Sequence, residues 1–341
     1  MSEHPSAAPA PNPGLVFDMI QAHQRTAAIK AAIELDIFSA IGKGHNDVAS
    51  IANHSKASER GMRILCDFLC INEILSKKDG NYYHTPTSAA FLDPASPACL
   101  ASIAKFLASP DIEGVYNQLS TIVRTGRTIL PGTGSVEPEN PLWVEFANNM
   151  APMMGPMAAP LGEVVLDGRT GPIHVLDIAA GHGLFGIEIA KQNSHAHVTG
   201  LDWAPVLRVA LENAKKAGVQ DRYDMLPGSA FDVYFAGPYD IVLLTNFLHH
   251  FDKPTNVTLL KKVHDALKPG GCAATLEFVP NDDRISPPMS AAFALTMLAT
   301  TASGDAYTYP ELHSMYADAG FARISKHPIP RSPHTIVIGI A

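Results

Sequence analysis

The sequence predicts a two-part protein: a C-terminal α/β domain built on a parallel, doubly wound sheet, and an N-terminal, mainly α winged-helix domain. Three observations carry that prediction. The 341 residues are long for one compact domain and comfortable for two. The first ninety or so positions read helix, turn, helix, hairpin, which is the order of a winged helix. After Gly171, short β-branched runs alternate with helical patterns, as strands do when helices cover both faces of their sheet.

Taken in order, residues 1–14 (MSEHPSAAPAPNPG) form a Pro/Ala-rich stretch without the basic start or apolar core of a secretory signal, and a disordered arm is expected there. From Leu15 to Ile41 apolar residues recur at helical spacing, so one long helix is predicted. Asp47–His54 and Ser58–Ile74 are two further helical patterns, and Asp79-Gly80 between short strands is a hairpin signal. Residues 15–98 are therefore read as the winged-helix domain, with its apolar first helix as a dimerisation surface. Residues 99–165 are read as a helical connector, interrupted at Pro131-Gly-Thr-Gly and rich in Trp143, Phe146, Met150, Met153, Met154 and Met157. Residues 166–341 hold the sheet, with strands expected at His174–Ile178, His197–Leu201, Tyr239–Thr245, Cys272–Phe278 and Thr335–Ile340.

Composition excludes several functions. With 46% hydrophobic and 17% charged residues the chain has an ordinary globular make-up. Its formal net charge of −8 lacks the basic face that nucleic acid or an anionic membrane requires. In the groove-reading position of the winged helix, Glu59, Asp67 and Glu73 offset Arg60 and Arg63, which disfavours a DNA-binding regulator. No apolar run approaches the roughly 20 residues of a membrane span. Cys66, Cys70, Cys99 and Cys272 are scattered without metal-ligand spacing, so no metal site is expected, and reduced thiols in a cytoplasmic protein are.

The chemistry-bearing segment is Val175-Leu176-Asp177-Ile178-Ala179-Ala180-Gly181-His182-Gly183, a strand entering a small-residue turn and then a helix. Small residues let a ligand approach the backbone, and the helix start offers free N–H groups. Gly181–Gly186 also satisfies G-x-G-x-x-G, so a dinucleotide is an alternative. Electrostatics separates the two. Asp177 at the strand end would repel a pyrophosphate and favour the ammonium and sulfonium of S-adenosylmethionine. Asp202, ending the next strand, stands where a ribose diol would donate two hydrogen bonds to its carboxylate, and either cofactor would use it. A strand–helix turn without any ligand has the same local pattern.

Further on, Pro227–Asp232 offers small residues for an adenine edge. A fourth strand ends in Thr245-Asn246-Phe247-Leu248-His249-His250-Phe251-Asp252, and Lys268-Pro-Gly-Gly leads to a fifth strand bearing Glu277. Together these segments resemble the class I, Rossmann-like methyltransferases, and with the winged-helix start they resemble the caffeate and hydroxyindole O-methyltransferase group and its bacterial natural-product relatives. The resemblance covers nearly the whole chain from Leu15 on. It implies S-adenosylmethionine as cofactor, a small-molecule acceptor and a homodimer. It further implies a cofactor site of Asp177, Ala179, Gly181, Gly183, Asp202, Trp203, Ser229, Ala230, Phe231 and Asn246, with Ser229 standing where the family often has an acid.

The same resemblance places the catalytic base at His249 and its orienting carboxylate at Glu277. A neutral imidazole suits a phenol, which titrates near pH 10 and needs an acceptor for its proton at pH 7. Two departures stand out. His250 occupies the family's usual aspartate position, and the family's second glutamate is replaced by Ala306 with Asp305 beside it. That altered acid keeps open a use of the bound sulfonium for rearrangement, decarboxylation or hydroxylation, and the same geometry serves nitrogen or carbon acceptors. The acceptor pocket is expected from Phe146, Met150 and Met154, closed by Ser286–Thr301 with Met289, Phe293 and Met297.

Overall fold

The computed structural model describes residues 11–137 and 140–341. The expected disordered arm lies outside the described residues up to position 10. Asn12 already begins ordered structure: its side chain accepts from the N–H of Gly14 and caps helix α1 (Pro13–Glu34), with Pro13 in the first turn.

One compact unit ends at Ala108. Its long first helix is not continuous as far as Ile41. Asp36 adopts a left-handed φ of +54°, so α1 stops at Glu34 and α2 (Ile37–Gly42) begins in a new direction. The break turns Ile37, Phe38 and Ile41 into the core, where one straight helix would carry part of that row away from it. Helices α3 (Val48–His54) and α4 (Glu59–Ile71) are capped by Asp47 and Ser58, each accepting from the backbone N–H three residues on. The hairpin β1 (Leu75–Lys78) and β2 (Asn81–His84) turns at Asp79 and Gly80, both with positive φ as a two-residue hairpin requires. Tyr82 fills the centre and donates its hydroxyl to Asp67, which also pairs with Lys77. α5 (Pro86–Phe91) and α6 (Ile103–Leu107) complete this unit.

The second compact unit is Ser109–Ala341. The expected connector is thus not a separate body. From Ser109 onward its helices belong with the sheet: α7 (Pro110–Asn117), α8 (Leu119–Thr125), α9 (Leu142–Asn149), α10 (Ala151–Met154) and α11 (Ala158–Leu166). The sheet contains β3 (Ile173–Ile178), β4 (Ala196–Asp202), β5 (Tyr223–Pro227), β6 (Tyr239–Thr245), β7 (Leu267–Phe278), β8 (Arg323–Pro328) and β9 (His334–Ile340). Their order is β5-β4-β3-β6-β7-β9-β8. The first five are parallel, but β9 runs antiparallel to both β7 and β8. β8 is absent from the sequence reading because Arg323-Ile-Ser-Lys-His-Pro is an exposed edge with no apolar run.

Helices α12 (Leu184–Gln192), α13 (Ala204–Lys216), α14 (Lys253–Asp265), α15 (Pro288–Thr300) and α16 (Tyr309–Asp318) accompany the strands. The core runs through Leu176, Ile178, Val242, Leu244, Leu260, Leu312 and Tyr316. Chain order reverses between β3 and β6, so their carboxyl ends open the crevice where ligands bind in such sheets.

Tyr223 sets a tight constraint here. A Cβ built on Gly200 of β4 would lie 2.4 Å from the Tyr223 hydroxyl and 2.9 Å from its Cζ. Gly200→Ala should destabilise the protein by about 1–3 kcal/mol through overpacking. Adding Tyr223→Phe should restore part of the loss in thermal denaturation, and equal losses with or without the hydroxyl would contradict this packing.

Candidate active site

The turn after β3 is built from three left-handed residues, Ala179 (φ +53°), Gly181 (φ +56°) and Gly183 (φ +75°). Gly183 also has no room for a side chain, since a Cβ would meet Ala210 at 2.8 Å and the Tyr223 hydroxyl at 3.0 Å. Around Gly181 the corresponding nearest atom is 3.8 Å away, so this residue is required by its φ and leaves open space above it. Asp202 braces the turn: one oxygen accepts from Gly181 N–H at 2.9 Å, the other from Trp203 N–H at 2.7 Å. Burial outweighs these bonds and pushes the Asp202 carboxyl up to about 6.

Asp177 departs from expectation. It is 0% exposed, lying beneath the turn and sealed from the space above Gly181, because its neighbours on β4 and α12 close over it. One oxygen accepts from Gly186 N–H at 3.1 Å; the other, Oδ1, has no hydrogen-bond partner. Burial pushes this carboxyl up to about 7, Gly186 N–H pulls it down, and the Asp202 charge adds to the rise. Any influence of Asp177 on a ligand therefore acts through the turn, without direct contact.

The neighbouring loop is tied to the same place. Gly228 N–H donates to the Asp202 carbonyl, Ser229 Oγ accepts from Phe231 N–H, and Lys262 donates to the carbonyls of Ala230 and Phe231 at 2.9 and 3.0 Å. Ala230 is buried and Phe231 partly exposed, packed edge-on against Phe251. The donor set of this crevice fits an S-adenosylmethionine-like molecule. It has an open, glycine-lined crest, two carboxyl groups and, among the described residues, no Lys or Arg bonded to either carboxyl.

At the end of β6 the backbone turns sharply, with Asn246 at φ +52° and its N–H on the Leu276 carbonyl. Glu277 on β7 then gathers the next three residues: Oε1 accepts from the N–H groups of Phe247 (3.0 Å) and Leu248 (2.9 Å), and Oε2 accepts from His249 Nδ1. Both side chains of the His249–Glu277 pair are buried. Because a carboxylate only accepts, the proton is assigned to Nδ1, which leaves Nε2 as the basic nitrogen. His250 takes a different place, with its ring 5.3 Å from Trp143 and its Nδ1 sealed without a partner. Burial and the adjacent His249 hold His250 well below the usual histidine range, so it stays neutral.

Asp305 does not reach the imidazole. Its carboxylate pairs with Arg284 at 3.4 Å and accepts from Ala306 N–H, while its own N–H donates to the His249 carbonyl. Glu277 is thus the one carboxylate bonded to His249 among the described residues.

The acceptor-side candidates divide. Phe293 stands edge-on to His249 at 4.8 Å and stacks on Phe278 at 4.1 Å. Phe146 lies edge-on to Trp143, and Met154 accepts a long contact from Asn246 Nδ2 at 3.7 Å. Met150 and Met297 are buried. Met289 does not join them: at the start of α15 it is 67% exposed, and the buried positions of that helix are Ser290, Met297, Ala299 and Thr300. Sequence reasoning missed His334. Buried on β9, it contacts Asn246 Oδ1 through Nε2 at 3.1 Å and packs on Phe278 at 4.0 Å. No local pattern marks it, because 88 residues separate it from Asn246 and an antiparallel pairing brings them together.

Fold and site define a methyltransferase of the class I type. Comparison with known proteins agrees: residues 175–271 match a methyltransferase domain model and residues 17–94 an O-methyltransferase dimerisation domain model. A solved Nostoc punctiforme structure, assigned provisionally as an O-methyltransferase, is 44% identical and covers 97% of this chain and 100% of its own, with TM-score 0.94. The 3-hydroxy-5-methyl-1-naphthoate 3-O-methyltransferase of Streptomyces sahachiroi is 26% identical over 92% of this chain and 90% of its own length. Human N-acetylserotonin methyltransferase, solved with S-adenosylmethionine, shares the fold at TM-score 0.82 and 20% identity, covering 98% of this chain and 99% of its own. The chain belongs to the S-adenosylmethionine-dependent O-methyltransferase family.

The buried carboxyl gives a pH prediction. Asp177 rises from the usual 3.8 to about 7 on folding, so the folded state binds more protons than the unfolded chain in that window. Stability from this group is full below the unfolded value and falls as pH rises toward 7. Asp177→Asn should flatten that part of the ligand-free protein's stability–pH curve. Parallel curves for wild type and variant between pH 4 and 7 would contradict it.

Proposed function

We propose that this enzyme methylates a hydroxyl of an aromatic or polyketide-like small molecule, with His249 as general base and Glu277 as its orienting partner. The buried His249–Glu277 pair at the crevice supports the reading most directly. S-adenosylmethionine, when bound, supplies an electrophilic methyl on a sulfonium. Asp202 and the Gly181–Gly183 turn would hold it, with Ser229, Ala230 and Phe231 toward its adenine. His249 Nε2 accepts the hydroxyl proton as the oxygen attacks, and Glu277 stabilises the resulting imidazolium in a place closed to water. Phe293, Trp143 and Phe146 offer flat apolar faces that suit an aromatic acceptor. Relatives named for a naphthoate, for tetracenomycin polyketide synthesis and for acetylserotonin support that acceptor class. Transfer of labelled methyl from the cofactor to members of a phenol and polyketide panel tests the assignment. His249→Ala should lower kcat by roughly 10²–10⁴-fold with cofactor affinity unchanged, whereas undiminished turnover would remove His249 from the role.

The same reading makes the protein a homodimer. Leu15, Phe17, Met19 and Ile20 leave the start of α1 apolar and exposed, and all but Leu15 lie within the segment that matches the dimerisation model. Replacing Phe17 and Ile20 by serine should shift the mass measured by light scattering from dimer to monomer, and a monomeric wild type would refute the assembly. Four free cysteines suit a reducing, cytoplasmic setting. Among the described residues, no helix is long and apolar enough to cross a membrane.

A further inference from the structure

Beneath the glycine turn lies a cluster of polar groups of which only Asp202 has a part in the proposed cofactor site. Asp177 projects from the end of β3 with Oδ1 sealed and unpartnered. Tyr223 of β5 reaches under the turn and ends in a hydroxyl that is also sealed and unpartnered. Asp202 closes the cluster from the end of β4. The groups facing this cluster from the other packed elements carry no positive charge. From α12 comes the N–H of Gly186, and from α13 comes Ala210. In the turn itself His182 is buried and held neutral, with Nδ1 accepting from Leu184 N–H. Two carboxyl groups thus lie near one another, Asp177 fully buried and Asp202 partly so, and among the described residues no Lys or Arg is bonded to either of them. Like charges in low dielectric cannot both stay ionised without a counter-charge, so the pair holds a proton or is given a cation.

We propose that this pair selects for charge within the enzyme's own cycle: the sulfonium donor is bound with loss of protons from Asp177 and Asp202, whereas the product, whose sulfur is neutral, is bound with loss of fewer. The balance is simple. A proton leaves a carboxylic acid for buffer as the ligand's positive charge arrives above the turn, and one returns when the methyl has gone and the sulfur is neutral. The inference rests on the reading that the turn is the cofactor site. Asp177 then becomes a specificity-determining residue that acts through the turn and not by contact. Lower pH weakens donor more than product, and the donor-to-product affinity ratio rises severalfold from pH 6 to pH 8.

Titration calorimetry of the full-length protein at pH 6.5, repeated in buffers of different ionisation enthalpy, counts the protons exchanged with S-adenosylmethionine and with S-adenosylhomocysteine. Wild type should release more with the donor. The amines of the two ligands can themselves exchange protons, so the decisive quantity is the part of the difference that Asp177→Asn or Asp202→Asn removes. Circular dichroism checks that each variant is folded, and either variant suffices should the other not fold. Equal proton counts for the two ligands on wild type, or a difference intact in a folded variant, would overturn the proposal while leaving the cofactor assignment standing. Absence of binding by both ligands would overturn the cofactor assignment and this inference with it.

Discussion

Glu277 accepts three hydrogen bonds in a place that water does not reach, and the arrangement of the site depends on it. Two of the donors are consecutive backbone N–H groups at the start of a tight turn, which would otherwise be buried without partners. The third is the imidazole of His249. Because one carboxylate serves all three, the backbone course after β6 and the orientation of the His249 imidazole are a single constraint. Nothing that moves the turn can leave the imidazole where it was. β7 supplies Glu277 from the centre of the sheet, between β6 and β9, and that gives the carboxylate a rigid origin.

A comparable economy governs the neighbouring turn. Asp202 is held at the end of β4 by two backbone N–H groups, and in holding them it shapes the crest at Gly181. Tyr223 fills the space below so tightly that Gly183 and Gly200 admit no side chain. The result is a crevice whose walls are set by backbone and packing while its electrostatics come from two carboxyl groups. Such a crevice disfavours a polyphosphate and favours a cationic ligand, as the sequence argument anticipated, although Asp177 exerts its effect from beneath the turn.

Around His249 the proposed acceptor side is aromatic and neutral. His250 and His334 are both kept uncharged, chiefly by burial. Asp305 is drawn away to Arg284. The His249 imidazole therefore meets one carboxylate and the apolar ring of Phe293.

The sequence by itself determined the parts that depend on local physics. Helix caps at Asp47 and Ser58, the Asp79-Gly80 hairpin, the buried β-branched strands and the glycine turn follow from spacing and residue type, because each is decided within a few residues. The proposed catalytic pair was legible only through resemblance to a family, since nothing local joins His249 to Glu277 across 28 positions. Only the tertiary structure decided what depends on distant packing. The helix break at Asp36 follows from a core that needs Ile37 and Phe38 turned inward, and the edge strand β8 exists because β9 offers it a partner. His334 meets Asn246 through the antiparallel end of the sheet, and Met289 faces solvent while the buried positions of α15 come after it. Asp177 reads the same in sequence whether it lines a crevice or lies beneath one. Its burial is settled by what β4, β5 and α12 place over it, and a short pattern of residues contains no record of those neighbours.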